Sequence, residues 1–187
     1  MFRELLVRRV SGFCELSTAQ LDQLQQHYEL MLRWNKTINL TRIERIEEAI
    51  DRHYAESLFL GANLPSGPLT IADVGSGAGF PGIPIAILRP DVSMSLIESH
   101  QRKAVFLKES ARVLPNVTVI AKRAQDVVQE FDWVISRAVS WQDLQGLDLA
   151  LKWALIGTDA PGDCVALPWA NEKHICFVSR ETKTVIK

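Results

Sequence analysis

The chain has 187 residues, 47% of them apolar and 23% charged, with 21 Lys and Arg against 22 Asp and Glu. Such a composition excludes disorder, collagen-like repeats and a disulfide-stapled miniprotein, and the length supports one sizeable core, in one domain or one domain with an extension. The net charge of −1 excludes a polyanion-binding coat over the whole surface and leaves room for a local basic patch.

Three cysteines, Cys14, Cys164 and Cys176, are widely spaced, with no CxxC pair and no companion histidine. They read as reduced, mostly buried thiols of a cytoplasmic protein, with no metal site. Glu4 interrupts the first apolar residues, so no signal peptide is expected. No window approaches about eighteen uncharged apolar residues, so no membrane span is expected either.

Residues 1–63 read as a helical extension. Ser17-Thr-Ala-Gln20 has the form of a capping box, followed by Leu21, Leu24, Tyr28, Met31 and Leu32 at helical spacing. A second helix is expected from Glu44 to Leu60, with Ile46, Ala49, Ile50, His53 and Ser57 along one face. The stretch between them, Asn35-Lys-Thr-Ile-Asn-Leu-Thr41, is rich in turn formers, and Leu64-Pro-Ser-Gly-Pro68 reads as a linker. Beyond it strands and helices alternate. Strands are expected at Leu69–Val74, Ser93–Ile97, Val117–Ile120, Trp133–Ser136, Asp163–Leu167 and Ile175–Ser179. Helices are expected at Gly82–Leu88, Gln101–Leu114 and Trp141–Leu155. This alternation predicts an α/β fold with a parallel, doubly wound sheet over residues 69–187.

The sharpest motif is Ile71-Ala-Asp73-Val-Gly75-Ser-Gly77-Ala-Gly79-Phe-Pro-Gly82. Glycines directly after a first strand let the backbone approach a ligand and turn into the next helix. Gly77-x-Gly79-x-x-Gly82 formally matches a dinucleotide fingerprint, but Pro81 removes an amide where a phosphate would sit. Asp73, at the strand tip, repels a pyrophosphate and suits a cationic ligand such as S-adenosylmethionine. Glu98, at the end of the next strand, is placed to accept ribose hydroxyls in either cofactor class.

Four stretches together resemble the glucose-inhibited division protein B family, bacterial methyltransferases acting on guanine N7 of 16S ribosomal RNA. They are Leu32-Arg-Trp-Asn-Lys-Thr-Ile-Asn-Leu-Thr41, Arg52-His-Tyr-Ala-Glu-Ser57, Asp73–Pro84 and Ile135-Ser-Arg-Ala138. The resemblance implies a Rossmann-like class I methyltransferase fold that uses S-adenosylmethionine. It implies cofactor contacts at Gly75, Phe80, Glu98, Ala124, Gln125 and Arg137, beside Asp73, Gly77 and Gly79 from the glycine cluster. It also implies a partner, 16S ribosomal RNA or the small ribosomal subunit; the chain itself is expected to be a monomer. The chain departs from the family's pattern after the sixth strand. A Leu-Lys-Gly turn, a helix and a longer hairpin are expected there, and Val165-Ala-Leu-Pro-Trp169 instead runs directly toward the last strand. Pro168 or Trp169 stands where a lysine is expected, which predicts a shortened sheet edge.

Guanine N7 carries a lone pair and no proton, so its methylation needs positioning and no general base. Arg137 is the expected catalytic residue, placed to fork onto a carboxylate or onto guanine O6/N7. Asn35, Lys36, Asn39, Arg52 and His53 are the expected RNA-facing residues, although Asn35 and Asn39 equally suit turn caps and His53 an interhelical packing role. Trp34 reads as core. No segment is a basic arm, so RNA contact requires Lys36, Arg42, Arg45, Arg52, Arg102, Lys103, Lys122 and Arg123 to converge. Two other readings stand beside this one: a cofactor-binding, RNA-associated module without catalysis, and a nicotinamide-dependent oxidoreductase.

Overall fold

The apolar runs that follow residue 68 assemble into one seven-stranded sheet. The structure, a computed structural model, describes residues 1–43, 45–157, 161–170 and 173–180. The strands are β1 (Thr70–Val74), β2 (Ser93–Ile97), β3 (Val117–Ile120), β4 (Trp133–Arg137), β5 (Lys152–Gly157), β6 (Asp163–Ala166) and β7 (His174–Ser179), in the order β3-β2-β1-β4-β5-β7-β6. β1 to β5 are parallel. β7 runs antiparallel between β5 and β6, so the sheet is mixed at this edge rather than parallel throughout. β1 lies between β2 and β4, the point where the strand order reverses and where the carboxyl ends of the strands open a crevice.

The helices are α1 (Phe2–Val10), α2 (Thr18–Asn35), α3 (Ile46–Ala49), α4 (Glu56–Asn63), α5 (Gly82–Leu88), α6 (Gln101–Ala111) and α7 (Trp141–Leu144). A π-helical segment, Ile50–Ala55, joins α3 to α4. Ser17 caps α2 as expected: its Oγ accepts from Gln20 N at 3.3 Å, and Gln20 Oε1 accepts from Ser17 N at 2.9 Å. The same Gln20 donates from Nε2 to the carbonyls of Ile87 and Leu88 at 2.9 and 3.1 Å, which seats α2 on the end of α5.

The residues of the N-terminal helices do not form a separate core. Leu6, Leu24, Met31, Tyr54 and Leu58 pack in one continuous cluster with Ile83, Phe106 and Ile135. The opposite face of the sheet buries Ala72, Val134 and Trp153 against Leu144, Leu147 and Leu149.

Two expectations are corrected. The helix expected over Trp141–Leu155 is a single turn, Trp141–Leu144, capped by Ser140, and residues 152–157 are strand β5 instead. Trp153-Ala-Leu-Ile156 is buried on both faces, and a continuous apolar run of this length fits a buried strand as well as a helix. The cysteines are not three reduced thiols: Cys164 and Cys176 lie opposite each other across β6 and β7 and are joined in a disulfide, and Cys14 alone is free. The separation of 12 residues is that of two facing positions in one hairpin, which spacing alone did not reveal. β6 is exposed along its whole length, at the edge of the seven-stranded sheet.

Candidate active site

The glycine cluster leaves β1 as a tight loop pinned by two carboxylates. Gly75 takes φ +75°, and a Cβ there would lie 2.9 Å from Cγ2 of Val139. Its N–H donates to Ile97 O at 3.0 Å. Glu98, at the end of β2, accepts from Gly77 N at 2.9 Å through Oε2 and from His100 N at 2.8 Å through Oε1. Asp73 is fully buried and faces inward: Oδ2 accepts from Gly82 N at 3.0 Å, and Oδ1 has no hydrogen-bond partner among the described residues. Burial pushes its carboxyl up to about 7, against the Gly82 hydrogen bond and the charge of Arg137, which lower it; the neighbouring Ser76 hydroxyl donates to the Asp73 backbone carbonyl at 2.9 Å. A Cβ on Gly82 would lie 2.7 Å from that Oδ2, so any side chain there would have to displace the carboxylate.

Two cavities open at the carboxyl ends of the strands. The first, of about 340 Å³, is lined by Gly75, Glu98, Ser99, Ala124, Gln125 and Val139 among others. It unites residues drawn from the loops after β1, β2 and β3. Each oxygen of Glu98 carries one observed hydrogen bond, and an ionised carboxylate has further lone pairs for ribose hydroxyls. Lys122 and Arg123 stand exposed at the rim. The second cavity, of about 580 Å³, is lined by Arg52, His53, Arg137, Trp141 and Lys173, with Ile43, Leu155 and Ile156 as apolar walls. Val139 lines both, so the two spaces adjoin at its side chain.

Arg137 ends β4 at this junction. Its Nη1 donates to the Arg52 carbonyl, and the guanidinium lies 5.3 Å from the centre of the Phe80 ring. Glu56 Oε2 is 3.8 Å from the same Nη1, an ion pair too long for a hydrogen bond. Burial lowers the pKa of Arg137, countered by the charges of Glu56 and Asp73. Ala138 then takes φ +62°, a left-handed conformation that costs a non-glycine residue about 1–2 kcal/mol and turns the chain away from the guanidinium.

Phe80 itself is buried. His53 stacks on it, with ring centres 4.5 Å apart and planes 13° from parallel. Thr41 Oγ1 meets His53 Nε2 at 2.9 Å, and Nδ1 has no hydrogen-bond partner among the described residues. Burial, with Arg137, His27, Arg52 and Lys173 around it, pushes the His53 imidazole down to about 2, so it is neutral and is no proton donor at ordinary pH.

The expected RNA-facing residues divide. Arg52 and His53 line the larger cavity, although Arg52 also pairs with Glu48 at 2.8 Å. Asn35, Lys36 and Asn39 line neither cavity. Asn35 Oδ1 accepts from Leu40 N and Thr41 N, both at 2.9 Å, and so shapes the turn that delivers Thr41 to His53. Lys36 and Asn39 are exposed on that turn. Of the expected basic set, Arg52, Lys122 and Arg123 reach a cavity, whereas Arg42, Arg45, Arg102 and Lys103 line neither. Trp34 packs on Phe106 and donates from Nε1 to Glu109 at 3.1 Å.

Sequence reasoning missed three participants. His27 bridges Tyr54 Oη, 2.9 Å from Nδ1, and the Ala78 carbonyl, 3.0 Å from Nε2, inside the glycine loop. Glu56 and Lys173 form a 2.9 Å ion pair behind Arg137. For Glu56 a signal existed, the single charged residue in Tyr54–Gly61. For Lys173 there was none.

The strand order, the glycine loop and the acid ending β2 define a class I methyltransferase fold. Solved structures agree: a protein of Methanococcus maripaludis assigned as an S-adenosyl-L-methionine-dependent methyltransferase superposes with a TM-score of 0.57, at 12% identity over 87% of this chain and 95% of its own. Precorrin-6y C5,15-methyltransferase of Geobacter metallireducens gives 0.50, at 15% identity over 67% of this chain and 87% of its own. The family follows from sequence: the family model of rRNA small subunit methyltransferase G, GidB, matches residues 20–146, and the chain belongs to this family. Ribosomal RNA small subunit methyltransferase G of Chromobacterium violaceum is 42% identical over 130 residues, 67% of this chain and 62% of that protein. The protein of the same name from Nitrosomonas europaea is 44% identical over 122 residues, 63% of this chain and 56% of that protein. The chain thus spans about six-tenths of the length of these relatives. No helix among the described residues is long and apolar enough to cross a membrane.

Proposed function

We propose that this chain transfers a methyl group from S-adenosylmethionine to N7 of a guanine in 16S ribosomal RNA, in the cytoplasm where small ribosomal subunits are assembled. The observation that carries this reading is that two cavities adjoin at Val139, one lined by Glu98, Ala124 and Gln125, the other by Arg52, Arg137 and Trp141. The first fits the cofactor. Glu98 offers carboxylate lone pairs to ribose hydroxyls, the Ala124–Gln125 turn lies where an adenine edge would be met, and the open backbone at Gly75 admits the chain between them.

The bound cofactor supplies an electrophilic methyl on a sulfonium. Everything else is positioning by the protein. The second cavity takes an extruded base, because N7 in an A-form duplex lies in a groove too narrow for side chains. Arg137 offers N–H donors at the junction, where it can orient the base through guanine O6, leaving the N7 lone pair free to attack the methyl, or hold the cofactor carboxylate. Neutral His53, backed by the buried Phe80 ring, forms part of the cavity wall. No residue in either cavity is asked to remove a proton, since N7 has none.

The test is transfer of a radiolabelled methyl to naked 16S RNA and to small subunits from a host lacking the enzyme, with N7-methylguanine identified in the digest. Labelled N7-methylguanine is the expected product. Tight S-adenosylhomocysteine binding with no transfer to either substrate would leave only a cofactor-binding, RNA-associated module.

A further inference from the structure

Glu56 begins α4 directly after the π-helical segment and is 1% exposed, so its carboxylate is out of water. A carboxylate buried in its charged form needs counter-charges, and two cations from distant parts of the chain stand beside Glu56. Lys173, ahead of β7, meets Oε1 at 2.9 Å. Arg137, at the end of β4, stands 3.8 Å from Oε2. Both cations line the 580 Å³ cavity together with Arg52, and no acid among the described residues lines it. One buried anion therefore holds two cations against the same space, and the wall keeps a positive excess. Oε2 lacks a hydrogen-bond partner among the described residues, and Arg137 Nη1 spends its bond on the Arg52 carbonyl. The arrangement is thus an electrostatic tether that leaves guanidinium donors available to a ligand.

We infer that Glu56 is a positioning residue that sets Lys173 and Arg137 as one cationic unit for the phosphate of an RNA nucleotide entering the larger cavity. This rests on the reading that the cavity receives the target nucleotide. A purely structural staple is the competing role, tying the segment before β7 to α4 without touching RNA. The two differ in what they predict for binding, since a staple replaced by a packed apolar pair keeps affinity, whereas a phosphate-holding unit loses it.

The experiment measures affinity for a short single-stranded, guanosine-containing RNA as a function of salt, alongside methyl transfer to small subunits. Six proteins are compared: wild type, Glu56→Gln, Lys173→Met, the double variant of those two, Lys173→Arg, and the apolar pair Glu56→Leu with Lys173→Met. Glu56→Gln and Lys173→Met should each weaken RNA binding about five- to tenfold and flatten the salt dependence by roughly one phosphate contact. The double variant should be no worse than the weaker single, because the residues act as one unit. Lys173→Arg should restore binding, and Lys173→Met should leave S-adenosylhomocysteine affinity within about twofold, its side chain lying outside the cofactor cavity. The apolar pair Glu56→Leu with Lys173→Met covers the case in which Glu56→Gln fails to fold. Wild-type RNA affinity in that pair, or additive losses in the double variant, would overturn the inference. Should wild type bind RNA with the predicted variant pattern but transfer no methyl, the methyltransferase reading fails and the inference stands. Should wild type transfer methyl while the variants bind RNA as it does, the inference fails and the methyltransferase reading stands. Wild type that neither binds nor transfers removes both.

Discussion

Asp73→Asn isolates the cost of a carboxylate sealed beneath the glycine loop. Asparagine keeps an acceptor for Gly82 N–H and removes the ionisation. In the folded protein the carboxyl titrates at about 7 rather than its ordinary 3.8, burial being the main cause and Glu98 adding to it, while Gly82 and Arg137 act in the opposite direction. A raised acid takes up a proton on folding wherever the unfolded chain has already lost its own. Its stabilisation is therefore complete below about pH 4 and is lost as pH rises through 7. Integrated between about pH 5 and pH 8, the loss is about 2–3 kcal/mol. At about 2–4 °C per kcal/mol for a chain of this size, the asparagine variant should gain roughly 5–10 °C in Tm relative to wild type over that interval. His27 and His53, pushed down to about 4 and 2, make both proteins less stable as pH falls below their ordinary value, and this shared effect cancels in the difference. Calorimetric scans of the two proteins at matched ionic strength give the measurement. A Tm difference that stays constant across the interval would mean that Asp73 is ionised throughout, and the argument from burial would be wrong.

Other outcomes follow from the same geometry. Glu98→Ala removes the acceptor for Gly77 and His100 and the proposed ribose contact, so S-adenosylhomocysteine affinity should fall at least about tenfold, in keeping with about 1.5–3 kcal/mol for a charged hydrogen bond. In titrations, its remaining affinity should no longer distinguish 2′- and 3′-deoxy analogues. Arg137→Lys should stay folded yet lower methyl transfer tenfold or more, on the scale of about 1–3 kcal/mol for one bidentate contact. Recovery of the maximal rate at saturating cofactor would assign the arginine to the cofactor, whereas normal cofactor affinity with depressed turnover would assign it to the base. Gly82→Ala forces a methyl against the Asp73 carboxylate and Leu96, and should cost about 1–3 kcal/mol in urea unfolding. Wild-type stability would show that the loop and carboxylate can part freely.

The strands Ser93–Ile97 and Val117–Ile120 were legible to the residue because each is a short stretch rich in apolar and β-branched residues, closed by polar or turn-forming neighbours. Lys152–Gly157 was not, since Trp153-Ala-Leu-Ile156 has no period to separate a doubly buried strand from a helix. The β6–β7 disulfide was hidden for a related reason: it depends on a hairpin register that no local pattern states. Within the site, residues that follow a strand in the chain were readable, because a parallel sheet delivers every strand end to the same edge. Gly75 and Glu98 line one cavity with Ala124 and Gln125, the two positions named through the family resemblance, whereas Asp73, Gly77, Gly79, Phe80 and Arg137 do not line it. Orientation was not readable. Asp73 sits at the anticipated strand tip but turns under the loop rather than over it. The Glu56–Lys173 pair joins positions 117 residues apart, a contact that only the fold creates.

The helical extension consequently has a more intimate part in the site than a cover. His27 lies in α2, Tyr54 in the π-helical segment and Ala78 in the glycine loop, and the three meet in one buried chain of hydrogen bonds. The Ala78 carbonyl can only accept, so His27 carries its proton on Nε2 and accepts the Tyr54 hydroxyl at Nδ1. Burial lowers His27 to about 4 and raises Tyr54, so both stay neutral around neutral pH and the chain of donors has a single direction. His53 and Phe80 stack beside it, and Asn35, through the turn it caps, brings Thr41 to His53. The glycine loop is thus held from two sides, by Asp73 and Glu98 at the strand ends and by His27 from the extension. A loop of glycines alone would spend binding energy on its own ordering. These fixed partners meet that cost during folding, so the backbone that faces the first cavity is already set when a ligand arrives.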